Sequence, residues 1–482
     1  MNPLWDLLES ATAANPDAPA LLTETRTYSF GELRSIVTNI ARELRDRGLR
    51  PGDVVATVLP NAMDWMVILA AAHEGLLSIS LHHAGQAADM GAALVIAVSE
   101  RLTTKPDPSI PLLEVTDQWF RNCEGAADPT PARQFDGPES LVRLVLTSGT
   151  TGKAKAAEYP VRKFAAIAAE IETTLGHGGD VRISFMGFST GGALYQAMGN
   201  LVSGTPYVAF SAISDRLPEL ISELGVTFMI GATTSLAQVC DAFDRHPEVT
   251  PQLQRIAIAG STAADALLVR LSALFPGAEF AIVYGSTEGG MIAIKNAVVD
   301  SDPRIVGHVV PGVKLEILDE DGNAVPAGEI GEIRYWSKEL TERYYRDPAA
   351  TAAAIRDGWF YPGDRGKFVE SGELMLIGRV DDVINLGGVK VDPGSLESIA
   401  LSVPCVDDAA AYLVHSDKGL PAIEMALVAD SPETMHAVDA RMRDDPTRVV
   451  PARYRRVSSL PHNQMGKLVR HDIAEHIAEL GE

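Results

Sequence analysis

Up to about Asp300, apolar residues recur in two alternating rhythms. Across Phe30–Asp46 they fall at Leu33, Ile36, Ile40, Ala41 and Leu44, the spacing of one face of a helix. Pro51-Gly52-Asp53 marks a turn, and residues 54–59 form a short, continuous apolar run, the pattern of a buried strand. Further runs of this kind lie at 141–146, 181–186, 227–230, 255–258 and 280–283. Helical spacing lies between several of them, as at Val161–Thr174 and 264–274. Strand and helix in alternation predict α/β layers built on parallel sheets.

The texture then changes. Residues 315–318, 329–334 and 373–377 read as short strands separated by turns such as Asp321-Gly322-Asn323 and Ser371-Gly372. This predicts antiparallel β structure, a small β-barrel. From Asp381 strand and helix mix again over about a hundred residues, enough for a small α+β domain. The expected organisation is a large α/β portion at 1–380, followed by a second domain at 381–482.

Charge narrows the function. The chain of 482 residues holds 64 acidic residues and 41 Lys and Arg, a formal net charge of −23. That excess excludes general binding to nucleic acid or to an anionic membrane surface. It permits a polyanionic small ligand at a local basic patch. Three scattered cysteines, Cys123, Cys240 and Cys405, suit neither a disulfide framework nor a zinc site. The most apolar stretch, 66–72, stops at His73 and Glu74, far short of the ~20 residues of a membrane span. The start, MNPLWDLLES, has no signal-peptide pattern, so a cytoplasmic location is expected.

Four motifs bear chemistry. Directly after the strand at 141–146 comes Thr147-Ser148-Gly149-Thr150-Thr151-Gly152-Lys153-Ala154-Lys155. Its glycines allow close ligand approach, its hydroxyls and N–H groups can donate to phosphate oxygens, and its lysines supply charge. It is not a Walker A loop, because Ala154 follows the first lysine. Tyr284-Gly285-Ser286-Thr287-Glu288-Gly289-Gly290 closes another strand, where open α/β sheets bind ligands. An aromatic ring, a hydroxyl and a carboxylate there suit a base, a phosphate and Mg²⁺. Asp364 and Arg379 bracket a hairpin and suit a ribose diol; Asp381-Asp382 and Gly387-Gly388 come next. Finally, Arg448, Arg453, Arg455, Arg456, Lys467 and Arg470 lie in a run without a single acid, a candidate phosphate-binding patch.

In order and wording, these motifs resemble the adenylate-forming superfamily of acyl-CoA synthetases, peptide-synthetase adenylation domains and luciferases. The resemblance runs from Thr27-Tyr-Ser-Phe-Gly-Glu-Leu33 to the end of the chain. It implies that a carboxylic acid attacks the α-phosphate of Mg-ATP to give an acyl-adenylate and pyrophosphate. A mobile C-terminal domain then rotates, and a thiol of CoA or of carrier-protein phosphopantetheine takes the acyl group. By the same resemblance, Ser148 to Lys155 hold the β- and γ-phosphates. Gly260, Ser261 and Thr262 form the adenine-pocket loop, and Tyr284 stacks on the base. Thr287 contacts the α-phosphate, Glu288 binds Mg²⁺, and Asp364 and Arg379 hold the ribose. Asp381 is the hinge, Gly388 lines the thiol path, and Lys467 bridges the carboxylate and the α-phosphate. Met186, Phe188, Ser189, Met229, Gly231 and Gly285 are the candidate acid pocket.

The chain departs from the family pattern in places. Ala154 replaces the proline of the phosphate loop, Ser189 replaces a histidine beside the acid pocket, and Pro362 replaces a threonine before Gly363-Asp364. No aspartate lies near Phe188 to pair with an α-amino group, and a buried ammonium without a partner is costly. A non-amino acid is therefore expected, with CoA as the thiol. Loading of a separate acyl carrier protein is the alternative, and a homodimer is left open. Gly187-Phe-Ser189-Thr-Gly191 also fits the nucleophile elbow of a serine hydrolase, a remote rival.

Overall fold

The computed structural model describes residues 1–127, 130–147, 155–174, 180–210, 212–260, 265–296, 302–386, 389–415, 421–444, 449–462, 468–470 and 473–480. The structure is mixed α/β, as the alternating pattern predicts, with two large sheets in the first 380 residues.

The first sheet has six strands in the order Leu112–Glu114, Ala92–Ala97, Val54–Val58, Leu77–Ser80, Leu141–Thr147 and Lys155–Pro160. All neighbours are parallel except the last pair. The second sheet has fifteen strands and two characters. On one side of Glu279–Ser286 the strands Arg255–Ala259, Phe228–Gly231, Arg182–Ser184, Tyr207–Val208 and Pro19–Leu22 run parallel to one another. On the other side Gly290–Asn296, Ile305–Val309, Leu374–Arg379, Asp364–Phe368 and Gly331–Trp336 are antiparallel. The change of texture near Asp300 is therefore a change of pairing within one sheet. Glu279–Ser286 is the strand where it occurs.

The helix Phe30–Asp46 shows how sequence sets an element. Ser29 Oγ accepts from the Glu32 N–H at 3.2 Å, and the Glu32 carboxylate accepts from the Ser29 N–H at 2.9 Å. This capping box satisfies two end groups at once. The stripe Leu33, Ile36, Ile40, Ala41 and Leu44 is buried, as its spacing requires. The helix Asn61–Glu74 carries the apolar stretch 66–72 and runs on through His73 and Glu74, which are buried. Polar residues are tolerated there because they are partnered: His73 Nδ1 lies 2.8 Å from Glu74, whose other oxygen accepts from Arg45 Nε at 2.9 Å. No helix among the described residues is long and apolar enough to cross a membrane.

Beyond Asp381 come a two-stranded ladder, Ile384–Leu386 with Val389–Val391, and a three-stranded sheet of Val406–His415, Pro421–Ala429 and Arg453–Arg456. Helices Pro393–Leu401 and Pro432–Arg443 close one apolar cluster around Leu396, Met425 and Met442; Ile473–Leu480 closes another around Ala410 and Ile473.

Candidate active site

Strand Glu279–Ser286 turns back into Gly290–Asn296 through a tight tip, Thr287-Glu288-Gly289. The tip is enclosed. A Cβ on Gly289 would lie 2.3 Å from the Tyr335 ring, and Gly290 adopts φ +76°, a conformation glycine takes at little cost. Ser286 Oγ lies 2.6 Å from the Tyr335 hydroxyl and accepts from the Gly289 N–H at 3.0 Å. Glu288 is buried, and its Oε1 accepts from the Tyr344 hydroxyl at 2.6 Å. The carbonyls of Thr287 and Glu288 turn the other way, onto Tyr159, Lys163 and the Thr341 N–H.

The predicted base and ribose residues form one connected chain. Asp364 and Arg379 are direct cross-strand partners. Arg379 Nη1 donates to Asp364 Oδ1 at 2.9 Å, and the Tyr284 hydroxyl donates to Asp364 Oδ2 at 2.6 Å. Burial, and then the neighbouring Asp364 charge, raise the Tyr284 phenol well above its ordinary range, so it stays a donor. Arg379 Nε is buried without a hydrogen-bond partner among the described residues. A ribose oxygen would satisfy that donor, and Glu288 Oε2 is a hard oxygen of the kind Mg²⁺ takes. The residues present thus fit a magnesium nucleotide.

Thr147 and Lys155 face each other across the ladder that flanks the predicted phosphate loop. Lys155 Nζ lies 5.4 Å from the Tyr344 ring centroid. Tyr344 therefore touches both the loop lysine and Glu288. Gly260 follows the strand beside Glu279–Ser286, with φ +87°. Ser148, Gly149, Thr150, Thr151, Gly152, Lys153, Ala154, Ser261, Thr262, Gly388 and Lys467 lie outside the described residues. Asp381 is exposed, and the adjacent Asp382 accepts from Arg470 Nε at 2.8 Å.

The candidate acid-pocket residues do not share one environment. Phe188 is core: it stacks on Trp65 with ring centroids 5.4 Å apart and meets the edge of Tyr207. Met229 is fully buried, and Met186 and Gly231 are buried as well. Ser189 is half-buried and Gly285 exposed. The Phe188 carbonyl accepts from Arg143 Nη2 at 2.6 Å. Arg143 is itself fully buried and also donates to Ser78 and Ser80. The hydrolase rival gains nothing here. A nucleophile elbow is a sharp, strained turn. Six residues separate strand Arg182–Ser184 from helix Gly191–Ser203, and Ser189 is not among the non-glycine residues with positive φ. It makes no hydrogen bond to a histidine among the described residues.

The cationic run is not free of acid in space. Arg455 Nε donates to Glu424 at 2.7 Å, and Arg470 donates to both oxygens of Glu397 at 2.6 Å as well as to Asp382. These acids come from a strand, a helix and a turn distant in sequence, so Arg455 and Arg470 are paired and do not form an open patch.

Sequence reasoning missed Tyr159, Lys163, Arg143 and Tyr344. For Lys163 a signal exists: it stands in line with Ile167 and Ile171 on the buried stripe of Val161–Thr174.

Comparison with known proteins gives the family and the fold. The fatty acid–[acyl-carrier-protein] ligase ScoC of Streptomyces coeruleorubidus is 28% identical over 493 residues, spanning 95% of this chain and 93% of its own. The probable CoA ligase CCL9 of Humulus lupulus is 27% identical over 508 residues, spanning 98% and 96%. ATP-bound MatB from Rhodopseudomonas palustris shares the fold, with a TM-score of 0.84 over 99% of this chain and 100% of that one, at 21% identity. So does o-succinylbenzoate CoA synthetase (MenE) from Bacillus subtilis with ATP and magnesium, at 0.81 over 97% and 99%, with 22% identity. The profile of the family described as AMP-binding enzyme matches residues 8–345, and the chain belongs to that family.

Proposed function

We propose that this protein activates a non-amino carboxylic acid with ATP, giving an acyl-adenylate and pyrophosphate, and then passes the acyl group to a thiol. The observation that supports it best is the Tyr284–Asp364–Arg379 chain on the sheet that also presents Thr287 and Glu288. Ribose, α-phosphate and cation binding thereby converge on the strand where pairing switches, the kind of place where α/β sheets hold ligands. Glu288 would hold Mg²⁺, which would supply neutralisation of the phosphate charge. The chain's own residues do the rest. Asp364 and Arg379 fix the sugar, Thr287 donates to the α-phosphate, and Lys153 and Lys155 meet the outer phosphates. Lys467 stabilises charge on the pentavalent transition state. In this reading 1–380 form the adenylation core, and 381–482 turn about Asp381 to bring Gly388 to the thiol path.

CoA is the proposed acceptor. A separate carrier protein is the second reading, favoured by the similarity to ScoC. The test is pyrophosphate release over a library of carboxylic acids, alone, with CoA and with a phosphopantetheinylated carrier protein. Acid-dependent release, with thioester formed in only one of the two thiol arms, is the expected result. Absence of any acid-dependent release or ATP–pyrophosphate exchange would overturn the proposal.

A further inference from the structure

Lys163 has no exposed surface. It lies in the first turn of helix Val161–Thr174, which begins where strand Lys155–Pro160 ends. Its Nζ donates to the Glu288 carbonyl at 2.7 Å and to the Thr287 carbonyl at 3.1 Å. Two other donors reach the same pair of oxygens: the Tyr159 hydroxyl to Thr287 at 2.7 Å and the Thr341 N–H to Glu288 at 2.8 Å. Nζ also lies 4.1 Å from the Tyr159 ring centroid.

Burying an ammonium is costly, and a buried lysine ordinarily recovers that cost at a carboxylate. Lys163 does not: among the described residues it makes no ion pair within 4 Å, although the buried Glu339 and Glu288 act on it across space. Its hydrogen bonds go to two consecutive peptide carbonyls. Two peptide planes held from one side have little freedom to rotate. Fixing them sets the directions of the side chains between them, the Thr287 hydroxyl and the Glu288 carboxylate.

We propose that Lys163 is a positioning residue for adenylation, holding the Thr287–Glu288 tip in register with the magnesium nucleotide. This rests on the reading in which Glu288 binds Mg²⁺ and Thr287 the α-phosphate. Lys163 itself touches neither nucleotide nor metal.

The test compares Lys163→Met, Lys163→Gln and Glu288→Gln with the unaltered protein. Binding of adenosine, which lacks the α-phosphate, and of Mg-ATP is followed by calorimetry, and ATP–pyrophosphate exchange is followed against Mg²⁺ concentration. For Lys163→Met, adenosine affinity stays within about twofold, because Tyr284, Asp364 and Arg379 are untouched. Mg-ATP binding weakens by about tenfold, and kcat for exchange falls by about 10–100-fold at unchanged KM for the acid, as expected for misplaced reacting groups. Lys163→Gln, which keeps a neutral donor, recovers part of both losses; should the Met variant not fold, the Gln variant is read against the same two measures. Equal loss of adenosine and Mg-ATP binding, or unaltered Mg²⁺ dependence, would overturn the proposal. The Glu288→Gln arm separates the two readings. If it leaves Mg-ATP binding unchanged, the metal assignment fails. If it weakens that binding while the Lys163 variants do not, only the role of Lys163 fails.

Discussion

The hairpin tip at Thr287–Glu288 and the described residues on either side of Lys467 in sequence are held by different bonds. Around the tip the donors are buried, and most of their acceptors are backbone oxygens: Tyr159, Lys163 and the Thr341 N–H close on two carbonyls, while Tyr344 takes the side chain. In the C-terminal stretch an isolated bridge pairs His462 with Leu468, and two residues further on Arg470 anchors the chain to Glu397 and Asp382. Arg470 is about a quarter exposed. Breaking a buried hydrogen bond strands a desolvated group at about 1–3 kcal/mol, whereas a charge that is a quarter exposed keeps part of its hydration. The tip is thus held by buried donors on neutral backbone oxygens, and the C-terminal anchor by a partly exposed cation between two carboxylates.

Four experiments bear on this contrast. The largest effect is expected from Lys467→Ala: ATP–pyrophosphate exchange should fall by about 10²–10³-fold, the loss typical of one transition-state donor. Adenosine binding and the thermal midpoint should not move. Exchange at the normal rate would remove Lys467 from the reaction. Next, Asp364→Asn weakens the links to both Tyr284 and Arg379; AMP affinity, read by calorimetry, should drop by about tenfold or more, since hydrogen bonds to charged groups contribute about 1.5–3 kcal/mol. Third, Arg470→Met leaves Glu397 and Asp382 without their cation. Breaking a fully buried pair costs about 3–5 kcal/mol, and partial exposure puts this one lower. Hydrogen exchange should quicken in Pro393–Leu401 and Val406–His415 and stay unchanged in Glu279–Ser286; equal quickening in both would erase the contrast.

The smallest effect lies outside both regions. Burial opposes ionisation of Glu74, yet hydrogen bonds from His73 and Arg45 outweigh it and hold the carboxyl at about 2, below the ordinary 4.5. A depressed folded value means the stabilisation is complete above about 4.5 and lost as pH falls toward about 2. Glu74→Gln should flatten the stability–pH curve in that window, as read by urea unfolding at successive pH values. An unaltered slope would contradict the assignment.

What could be read from the sequence was local. Asp364 and Arg379 were legible because hairpin register places residues fifteen apart in chain directly opposite. Helices with a one-sided stripe, such as Phe30–Asp46, were legible because burial follows their period. The cationic run misled because charge was counted along the chain, while its partners Glu424 and Glu397 arrive through tertiary packing. Phe188 stands among the acid-pocket candidates by its neighbours in sequence; its packing against Trp65 and Tyr207 comes from the fold alone. The burial of Lys163 can be read from its place on a helical stripe, but its acceptors are peptide carbonyls, which leave no trace in residue identity.

The two carboxylates assigned to sugar and cation are both already engaged. Asp364 Oδ2 is held by the Tyr284 hydroxyl, and Glu288 Oε1 by that of Tyr344. A ligand that takes either of these two oxygens would exchange partners there, and its net gain would be the difference between a phenol and the newcomer. Each phenol meanwhile stabilises its anion in a low-dielectric setting. At those two oxygens a weak or ill-shaped ligand would gain nothing over the tyrosine it must rival.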